Sequence, residues 1–236
     1  MELAAEQKGL EMPVAAIPAY LEQVYWWAYI HPNAVRMFER QWLVNAILWG
    51  NFARLRDAAL DELGQSIPGR SLQIACVYGD FSNRLAARIA PHGELDVIDI
   101  LPIQLSNLRK KLGNAVPVNL FQRDSAALGF ADASYDRAVL FFLLHEQPEA
   151  VRRDTLREAL RVLRPGGKLV IVDYHLPRAS HPLRYLFRPV LKYLEPFALD
   201  LWRNELSEWL PDSVRPEQIC KQTYYGGLYQ KLVITK

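Results

Sequence analysis

The sequence predicts an α/β fold with a mostly parallel sheet and helices on both of its faces. Between Ser71 and Asp173, short apolar runs alternate with segments of helical period, which implies parallel strands joined by helices. The length of 236 residues, 50% of them hydrophobic, is enough for one sizeable core with an appendage. The first apolar run ends in ACVYGDFS, a turn at the place where such a fold holds its ligand.

The first 69 residues are predicted to form an N-terminal helical extension. Residues 1–18 show no clear period and contain two prolines, so they are expected to be a loosely ordered lead-in. Residues 19–59 predict two helical stretches, broken at His31-Pro32, that bury a broad aromatic face. The main domain is predicted to span residues 70–236.

Five parallel strands and a closing hairpin are predicted in the main domain. The strands are SLQIACVYG, ELDVIDI, VNLFQRD, YDRAVLFFLL and KLVIVDYH. Helical segments separate them, and Pro165-Gly166-Gly167 predicts a tight turn before the fifth strand. TYYGGLYQKLVITK predicts a hairpin with Gly226-Gly227 as its turn or a bulge, which brings the sheet to seven strands.

Residues 176–215 interrupt the alternation and are predicted to be a helical lid after the fifth strand. Arg184, Arg188 and Lys192 recur every four residues, which places them on one helix face beside an apolar remainder. Pro189 is expected to kink or end this helix, because proline has no backbone N–H to donate.

Composition excludes several functional classes. With 28 basic and 26 acidic residues the net charge is +2, so no overall field favours nucleic acid. Cys76 and Cys220 lack zinc-ligand spacing, and reduced thiols in a cytoplasmic protein are expected. No secretion signal is recognisable, and the longest apolar stretches fall short of the roughly 20 residues that cross a bilayer.

Polar groups follow four of the predicted strands and are expected to meet at one edge of the sheet. The first loop supplies Tyr78, Gly79, Asp80 and Ser82, and the later loops supply Asp99, Asp124, Ser125, His145 and Glu146. An acid at the position of Asp99 can accept hydrogen bonds from both hydroxyls of a ribose. Asp124 with Ser125 either binds an adenine amino group or caps the next helix.

Four of these residues are the candidate catalytic groups. Asp80 can bind an amine, take its proton or ligate a hard cation, or it is a helix N-cap. Tyr78 can bond a cofactor carboxylate or a substrate carbonyl, or it only packs. His145 and Glu146 suit acid–base work or metal binding, with helix capping as the alternative for Glu146.

The spacing of ELDVIDILPIQLSNLRKKL, RDSAALGFADASYDRAVLFFLLHE and REALRVLRPGGKLVIVD resembles the class I S-adenosylmethionine-dependent methyltransferases over about residues 70–175. The resemblance implies a Rossmann-like fold and S-adenosylmethionine as cofactor. The predicted cofactor-binding residues are Tyr78, Gly79, Asp80, Asp99, Ile100, Asp124, Ser125 and Phe141. The first motif departs from the family pattern, because Gln73 replaces its acid and Ala75 and Val77 replace two glycines.

A second resemblance covers nearly the whole chain. YWWAYIHPNAVRMFERQWLVNAILWGNF, ACVYGDFS, LLHEQPE, FALDLWRNE and GGLYQK look like the rhodoquinone-biosynthesis proteins known as RquA. This resemblance implies replacement of a ubiquinone methoxy group by an amino group, with S-adenosylmethionine as amino donor and manganese (Mn²⁺) required. Asp80 and His145 are the candidate metal ligands, and Asp173 with His175 would complete a possible ring of ligands.

A polyprenyl quinone has a long apolar tail, so its enzyme is expected to have an apolar gate and some affinity for a membrane surface. The YWWAY cluster and residues 181–210 would provide both, and peripheral association with the inner membrane is expected. In the alternative interpretation, Trp26, Trp27 and Trp42 are core residues and the basic stripe is a solvated face.

Three other functions remain open. A methyltransferase acting on a quinone or small aromatic would tolerate the unusual first loop. A quinone-binding protein without turnover is the non-enzymatic alternative. A nicotinamide dehydrogenase is less favoured, because the first loop offers a pyrophosphate one glycine and places Asp80 against a negatively charged ligand.

Overall fold

The computed structural model describes residues 16–113 and 118–236. Its centre is a seven-stranded sheet in the order β3-β2-β1-β4-β5-β7-β6. The strands are β1 (Arg70–Ile74), β2 (Glu94–Asp99), β3 (Val118–Gln122), β4 (Tyr135–Phe141), β5 (Leu163–Tyr174), β6 (Ile219–Tyr224) and β7 (Tyr229–Thr235). Strands β1 to β5 pair in parallel and β7 runs antiparallel to β5 and β6, so the predicted mostly parallel sheet is confirmed.

Nine α-helices occur in the described part of the chain. They are α1 (Ala19–Val24), α2 (Pro32–Phe38), α3 (Gln41–Ile47), α4 (Phe52–Leu63), α5 (Phe81–Ala86), α6 (Pro102–Leu112), α7 (Glu149–Val162), α8 (Leu183–Leu194) and α9 (Asp200–Arg203). A π-helical turn covers Trp26–Ile30, and short 3₁₀ turns include Leu144–Glu146 and Pro196–Leu199. The predicted break at His31-Pro32 is present, since His31 is extended and Pro32 begins α2.

The sheet order reverses between β1 and β4. From β1 the chain builds outward to β2 and β3 on one side, then crosses to β4 and β5 on the other. The loops after β1 and β4 therefore diverge and leave a crevice beyond their carboxyl ends, which is where such sheets hold ligands.

The core joins the sheet and α4. Phe52, Leu55 and Ala59 on α4 are fully buried with the strand residues in one continuous apolar cluster. A smaller cluster forms around Tyr25, where the first helices meet Leu101 at the end of β2. Because α4 shares the core of the sheet, the division at residue 69 stays a prediction.

Two local predictions are settled by the backbone. Gly226 and Gly227 have φ values of +63° and +95° and lie in the 3₁₀ turn Tyr225–Gly227, so the closing hairpin is confirmed. Helix α8 does not end at Pro189 but continues to Leu194. The carbonyl that loses its partner belongs to Tyr185, which is 64% exposed, so water can satisfy it.

Candidate functional site

A cavity of about 660 Å³ opens beyond the carboxyl ends of β1, β2 and β4. Its floor is made by the loops after these strands, and its roof by the first three helices and α8. Of the eight predicted cofactor-binding residues, six line the cavity: Tyr78, Asp99, Ile100, Asp124, Ser125 and Phe141. Gly79 and Asp80 do not lie on its wall.

Asp99 ends β2 at the floor of the cavity, as the sequence predicts. One carboxylate oxygen accepts the backbone N–H of Cys76 at 2.8 Å, and the other accepts that of Leu101 at 2.8 Å. Burial raises the pKa of Asp99 to about 6, although these hydrogen bonds act in the opposite direction. The carboxylate is thus fixed in orientation and keeps lone pairs for a ligand hydroxyl.

The first loop keeps the backbone of a glycine turn without the glycine. Ala75 has a φ of +74°, a left-handed conformation that costs an L-residue about 1 kcal/mol or more. Gln73 stabilises this turn, because its side-chain amide donates to the Ala75 carbonyl at 3.0 Å and to Ser82 Oγ at 2.9 Å. Gln73 stands where the methyltransferases that the sequence resembles have an acidic residue. In this protein its side chain stabilises the first loop.

The ring of Tyr78 lines the cavity, and its hydroxyl forms hydrogen bonds with other parts of the protein. The hydroxyl donates to the Ala28 carbonyl at 2.8 Å and accepts from the side chain of Gln104 at 2.8 Å. The ring is stacked between Tyr29 and Phe38, with centroids 5.8 and 5.9 Å away. These contacts attach the first helices to the loop, so Tyr78 holds the roof in place.

Glu39, next to the C-terminus of α2, makes a second attachment. Its carboxylate accepts the backbone N–H of Gly79 at 3.2 Å and the side-chain amide of Asn107 at 2.6 Å. Lys111 lies 2.7 Å from the same carboxylate and also donates to the carbonyls of Val77 and Gly79 at 3.0 and 2.9 Å. The polar backbone of the first loop is therefore occupied by protein groups.

Asp80 lies outside the cavity, in an ion-pair cluster. Both of its carboxylate oxygens accept from Arg56, at 2.8 and 2.9 Å, and Arg84 contacts it from one turn along α5. Asp80 stands at the N-cap position of α5, but its side chain accepts no capping hydrogen bond. This placement corrects the expectation that Asp80 faces the cofactor, because two arginines already neutralise its carboxylate.

Asp124 and Ser125 line the cavity after β3. Asp124 accepts the backbone N–H of Ala126 at 2.8 Å, which closes a turn and not a helix, so the helix-cap alternative is wrong. Ser125 is linked at 2.9 Å to Thr155 and accepts at 2.9 Å from the side-chain amide of Gln147. The Oε1 atom of Gln147 is buried without a partner among the described residues, so it is free to accept from a ligand.

The loop after β4 brings His145 and Glu146 to the cavity. His145 Nδ1 is 2.9 Å from Asp173 Oδ1, and its Nε2 is 3.8 Å from Glu146 Oε1. Burial lowers the pKa of His145, but Asp173 outweighs that effect and the net change is upward. Burial raises the pKa of Glu146 to about 8, a value suited to proton transfer.

Glu195 and the tyrosines of the roof also belong to the site, although the sequence did not predict them. Glu195 follows α8 and lines the cavity, and Tyr20 and Tyr29 approach the same end from the first helices. Burial first, and then the charge of Glu146, raise the pKa values of both tyrosines. Glu195 is the first acidic residue after the basic and aromatic run of residues 176–194, and this was the one available signal for it.

The predicted metal ligands are not brought together. His145 lines the cavity, whereas Asp80 is held by its arginines away from it. His175 turns to Glu205 and Lys221, so it does not join the pair of His145 and Asp173. In the part of the chain that the structure describes, no group of three or more His, Cys, Asp or Glu residues is arranged to hold a metal ion. The residues present therefore do not fit the expected manganese.

The mouth of the cavity is apolar and exposed. Met37, Trp42, Ile47, Val190 and Leu194 line the cavity and are between 39% and 65% exposed. Trp42 at 65% is therefore not a core residue, contrary to the alternative interpretation. No helix within residues 16–113 or 118–236 is long and apolar enough to cross a membrane.

The structure also shows how far Trp26, Trp27 and the basic stripe on α8 are buried. Trp26 is 53% exposed, and Trp27 is partly buried with its indole N–H donating to the Val24 carbonyl at 3.0 Å. In the stripe on α8, Arg184 is engaged by the Pro177 carbonyl at 2.8 Å, while Arg188 and Lys192 are exposed. Two of the three predicted charges thus face solvent.

Comparison with known proteins identifies relatives of the chain. Residues 72–167 match the family described as a methyltransferase domain. A ubiquinone/menaquinone biosynthesis C-methyltransferase of Ectopseudomonas mendocina is 34% identical over 139 residues, which are 57% of this chain and 54% of the relative. A demethylmenaquinone methyltransferase of Staphylococcus aureus is 26% identical over 186 residues, 78% of this chain and 75% of the relative.

Solved structures show the same fold. Phosphoethanolamine N-methyltransferase 2 of Haemonchus contortus matches with a TM-score of 0.67 and 13% identity, over 95% of this chain and 60% of that one. The N-methyltransferase NodS of Bradyrhizobium japonicum matches with a TM-score of 0.54 and 18% identity, over 78% and 96%. With the sheet order, these matches confirm the predicted Rossmann-like methyltransferase fold.

Proposed function

We propose that the protein is an S-adenosylmethionine-dependent transferase that acts on the ring of a polyprenyl quinone. The observation that carries the proposal is one cavity with two unlike ends. Asp99 and Asp124 offer acceptors for a nucleoside at the floor, and an apolar mouth opens to the surface. The quinone methyltransferases among its relatives support this substrate class.

The nucleoside would be held by the loops after β2 and β3. Asp99 is fixed by two backbone N–H groups and would accept the ribose hydroxyls. Asp124 and the free Oε1 of Gln147 would accept from the adenine amino group. The cofactor supplies an activated sulfonium group and a primary amine. The residues around the cofactor would determine which of these two groups faces the quinone ring.

The finer proposal is transfer of the amine, with replacement of a ring methoxy group by an amino group. The nitrogen would bond to the ring carbon, one N–H proton would pass to the departing methoxy group, and methanol would leave. The bond between this nitrogen and the α-carbon of the cofactor would then break, because two electrons and the α-carbon proton pass to the quinone ring and water hydrolyses the resulting imine. The products would be an aminohydroquinone and the 2-oxo acid derived from the cofactor. Glu146 and His145 are the groups placed to move these protons, because both line the cavity and share a short polar chain to Asp173. No step is assigned to a metal ion.

Methyl transfer to a quinone is the second candidate. It is favoured by the relatives, which include a C-methyltransferase and a demethylmenaquinone methyltransferase. The same residues would then bind the nucleoside, and Glu146 would take the proton of the ring position that gains the methyl group.

The apolar mouth would deliver the quinone from a membrane surface. Five exposed apolar side chains surround the entrance, and the exposed Arg188 and Lys192 belong to the same helix as Val190 and Leu194. Apolar insertion beside basic charge is the combination that binds anionic lipid. The protein would thus associate peripherally with the inner membrane and take its substrate directly from the bilayer.

One turnover experiment distinguishes the candidates. The protein is incubated with ubiquinone and S-adenosylmethionine labelled with ¹⁵N in the amine and ¹³C in the methyl group, and the quinones are analysed by mass spectrometry. Aminoquinone carrying ¹⁵N supports amine transfer, whereas a ¹³C-methylated quinone selects methyl transfer. The absence of both products would contradict the proposed function. Repeating the assay with chelator-treated protein, with and without manganese, tests the metal requirement separately.

A further inference from the structure

The end of β5 brings a hydroxyl group to the cavity that the fold leaves unused. Tyr174, the last residue of β5, lines the cavity and is only 5% exposed. Its backbone N–H donates to Asp173 Oδ1 at 2.8 Å, and its carbonyl accepts from the side chain of Gln230 at 2.9 Å. The side-chain hydroxyl makes no hydrogen bond with the residues that the structure describes. Such a buried hydroxyl carries a free-energy cost, which an acceptor on a ligand would remove.

Tyr174 forms an aromatic wall with Phe142 and Phe187, and all three residues line the cavity. The ring centroid of Tyr174 is 5.5 Å from that of Phe142 and 5.9 Å from that of Phe187. Phe142 has a left-handed backbone with a φ of +56°, and its N–H donates to the Val172 carbonyl at 2.8 Å. A bulky residue rarely adopts this conformation, so the fold holds the Phe142 ring in the wall at a cost in free energy.

The aromatic wall lies on the side of the sheet that the nucleoside would leave free. Strand β5 is separated from β1 by β4, whereas the nucleoside acceptors Asp99 and Asp124 follow β2 and β3 on the other side of β1. Phe187 shares helix α8 with Val190 and Leu194, which line the mouth. A ring held at the aromatic wall would thus have its apolar tail directed along α8 to the mouth.

Three other donors of the cavity lining are engaged by the protein. The Tyr78 hydroxyl donates to a backbone carbonyl of the roof. The side-chain amide of Gln104 donates to the Tyr29 carbonyl at 3.2 Å and to the Tyr78 hydroxyl at 2.8 Å. The indole N–H of Trp27 donates to the Val24 carbonyl at 3.0 Å. These groups are not free for a ligand, so the role that Tyr78 was expected to have toward a substrate carbonyl needs another donor.

We propose that Tyr174 donates a hydrogen bond to a carbonyl oxygen of the quinone ring, and that Phe142 and Phe187 hold the ring beside it. The inference rests on the proposed function and names the subsite of the ring. A quinone ring is flat and uncharged, and its carbonyl oxygens only accept hydrogen bonds, so it matches an aromatic wall with one donor. The hydrogen bond orients the ring and withdraws electron density from it, which favours addition of the amine.

The test compares two ligands that differ in their carbonyl groups. Isothermal titration calorimetry measures binding of a ubiquinone with one isoprene unit and of the matching dimethoxytoluene, which keeps the ring substituents but lacks both carbonyl oxygens. The wild-type protein should prefer the ubiquinone. Tyr174→Phe should reduce this preference by roughly 5-fold, the effect of one neutral hydrogen bond, and should bind the dimethoxytoluene as the wild-type protein does.

Two further variants locate the ring. Tyr229→Phe is the matched control, because the Tyr229 hydroxyl also lacks a partner among the described residues and its ring lies 5.7 Å from that of Tyr174, but Tyr229 does not line the cavity. This variant should bind both ligands as the wild-type protein does. Phe187→Leu removes a ring from the aromatic wall and should weaken binding of both ligands.

Infrared spectroscopy gives a readout that the wild-type protein can provide by itself. Ubiquinone labelled with ¹³C at one carbonyl allows the two C=O stretching bands to be assigned. A hydrogen bond from Tyr174 should shift one of these bands to lower wavenumber in the wild-type complex. The shift should be lost in Tyr174→Phe and kept in Tyr229→Phe.

The outcomes separate the two proposals. If the wild-type protein binds the ubiquinone but Tyr174→Phe keeps the same preference, or weakens both ligands equally, the ring subsite is overturned and the proposed function stands. Unchanged binding by Phe187→Leu, or two unshifted carbonyl bands in the wild-type complex, would also overturn the subsite, and the second result does not require that Tyr174→Phe folds. If the wild-type protein binds neither ligand, both proposals are overturned.

Discussion

The loops after β1 and β4 lie side by side where the sheet order reverses, but they use their polar groups in opposite ways. In the first loop, Tyr78, Gly79 and Asp80 bind other parts of the protein, so the loop anchors the roof and α4. In the loop after β4, His145 and Glu146 line the cavity and lie next to each other, with His145 Nε2 3.8 Å from Glu146 Oε1. The departure from the family glycine pattern thus marks a docking surface, and the candidate chemistry lies elsewhere.

The sharpest test of this comparison is Glu146→Gln, for which we expect the largest effect. Removing a group that transfers protons should lower kcat by about 100-fold or more. Nucleoside binding through Asp99 should persist. The exposed Glu149→Gln on α7 is the matched control.

The pH dependence of the wild-type rate tests the same role of Glu146 and has a predicted direction. If Glu146 acts as a base, its carboxylate is the active form, and its pKa of about 8 lies above the usual value for glutamate. The rate should therefore rise with pH through the neutral range and level off above about 8. A rate that is flat between pH 6 and 9, or a fully active Glu146→Gln, would mean that the loop after β4 takes no part in the mechanism.

Gly79→Ala should break the anchoring role of the first loop. Gly79 has a φ of +80°, and an added Cβ would lie 2.8 Å from the Phe52 ring on α4. We expect a loss of about 2–4 kcal/mol in the free energy of unfolding, from backbone strain together with the clash. Gly50→Ala is the control, because Gly50 has a similar φ of +78° but open space around it. Equal losses in urea titrations of the two variants would mean that contact with Phe52 is unimportant.

Tyr78→Phe distinguishes an anchor from a catalytic group. The change removes the hydrogen bonds to Ala28 and Gln104 but keeps the stacked ring. We expect a loss of about 1–2 kcal/mol in stability and faster proteolysis of the first helices, with kcat changed only a few-fold. Tyr193→Phe, at a 78% exposed position, should be neutral. A 100-fold fall in kcat at unchanged stability would return Tyr78 to the chemistry.

Ala75→Gly should have the smallest effect and the opposite sign. Glycine adopts the φ of +74° at this position without the clash of a Cβ, which should stabilise the fold by up to about 1 kcal/mol after the entropy of the unfolded chain is counted. The control is Ala86→Gly, at a buried position at the end of α5, which should destabilise the fold. If Ala75→Gly lowers the melting temperature, the left-handed turn is not a source of strain.

The sequence alone determined the sheet and the positions of the ionisable side chains on its edge. Alternation of strand and helix periods follows from local chemistry, and parallel strands bring their carboxyl ends to one edge, so Asp99, Asp124 and His145 were placed correctly at the cavity. Only the tertiary structure decided which groups are free. Arg56, Glu39 and Lys111 neutralise or occupy the first loop from distant segments, and Glu195 reaches the cavity from the lid. Such pairings depend on where helices pack against one another, and side-chain packing of that kind leaves no periodic signal in the sequence.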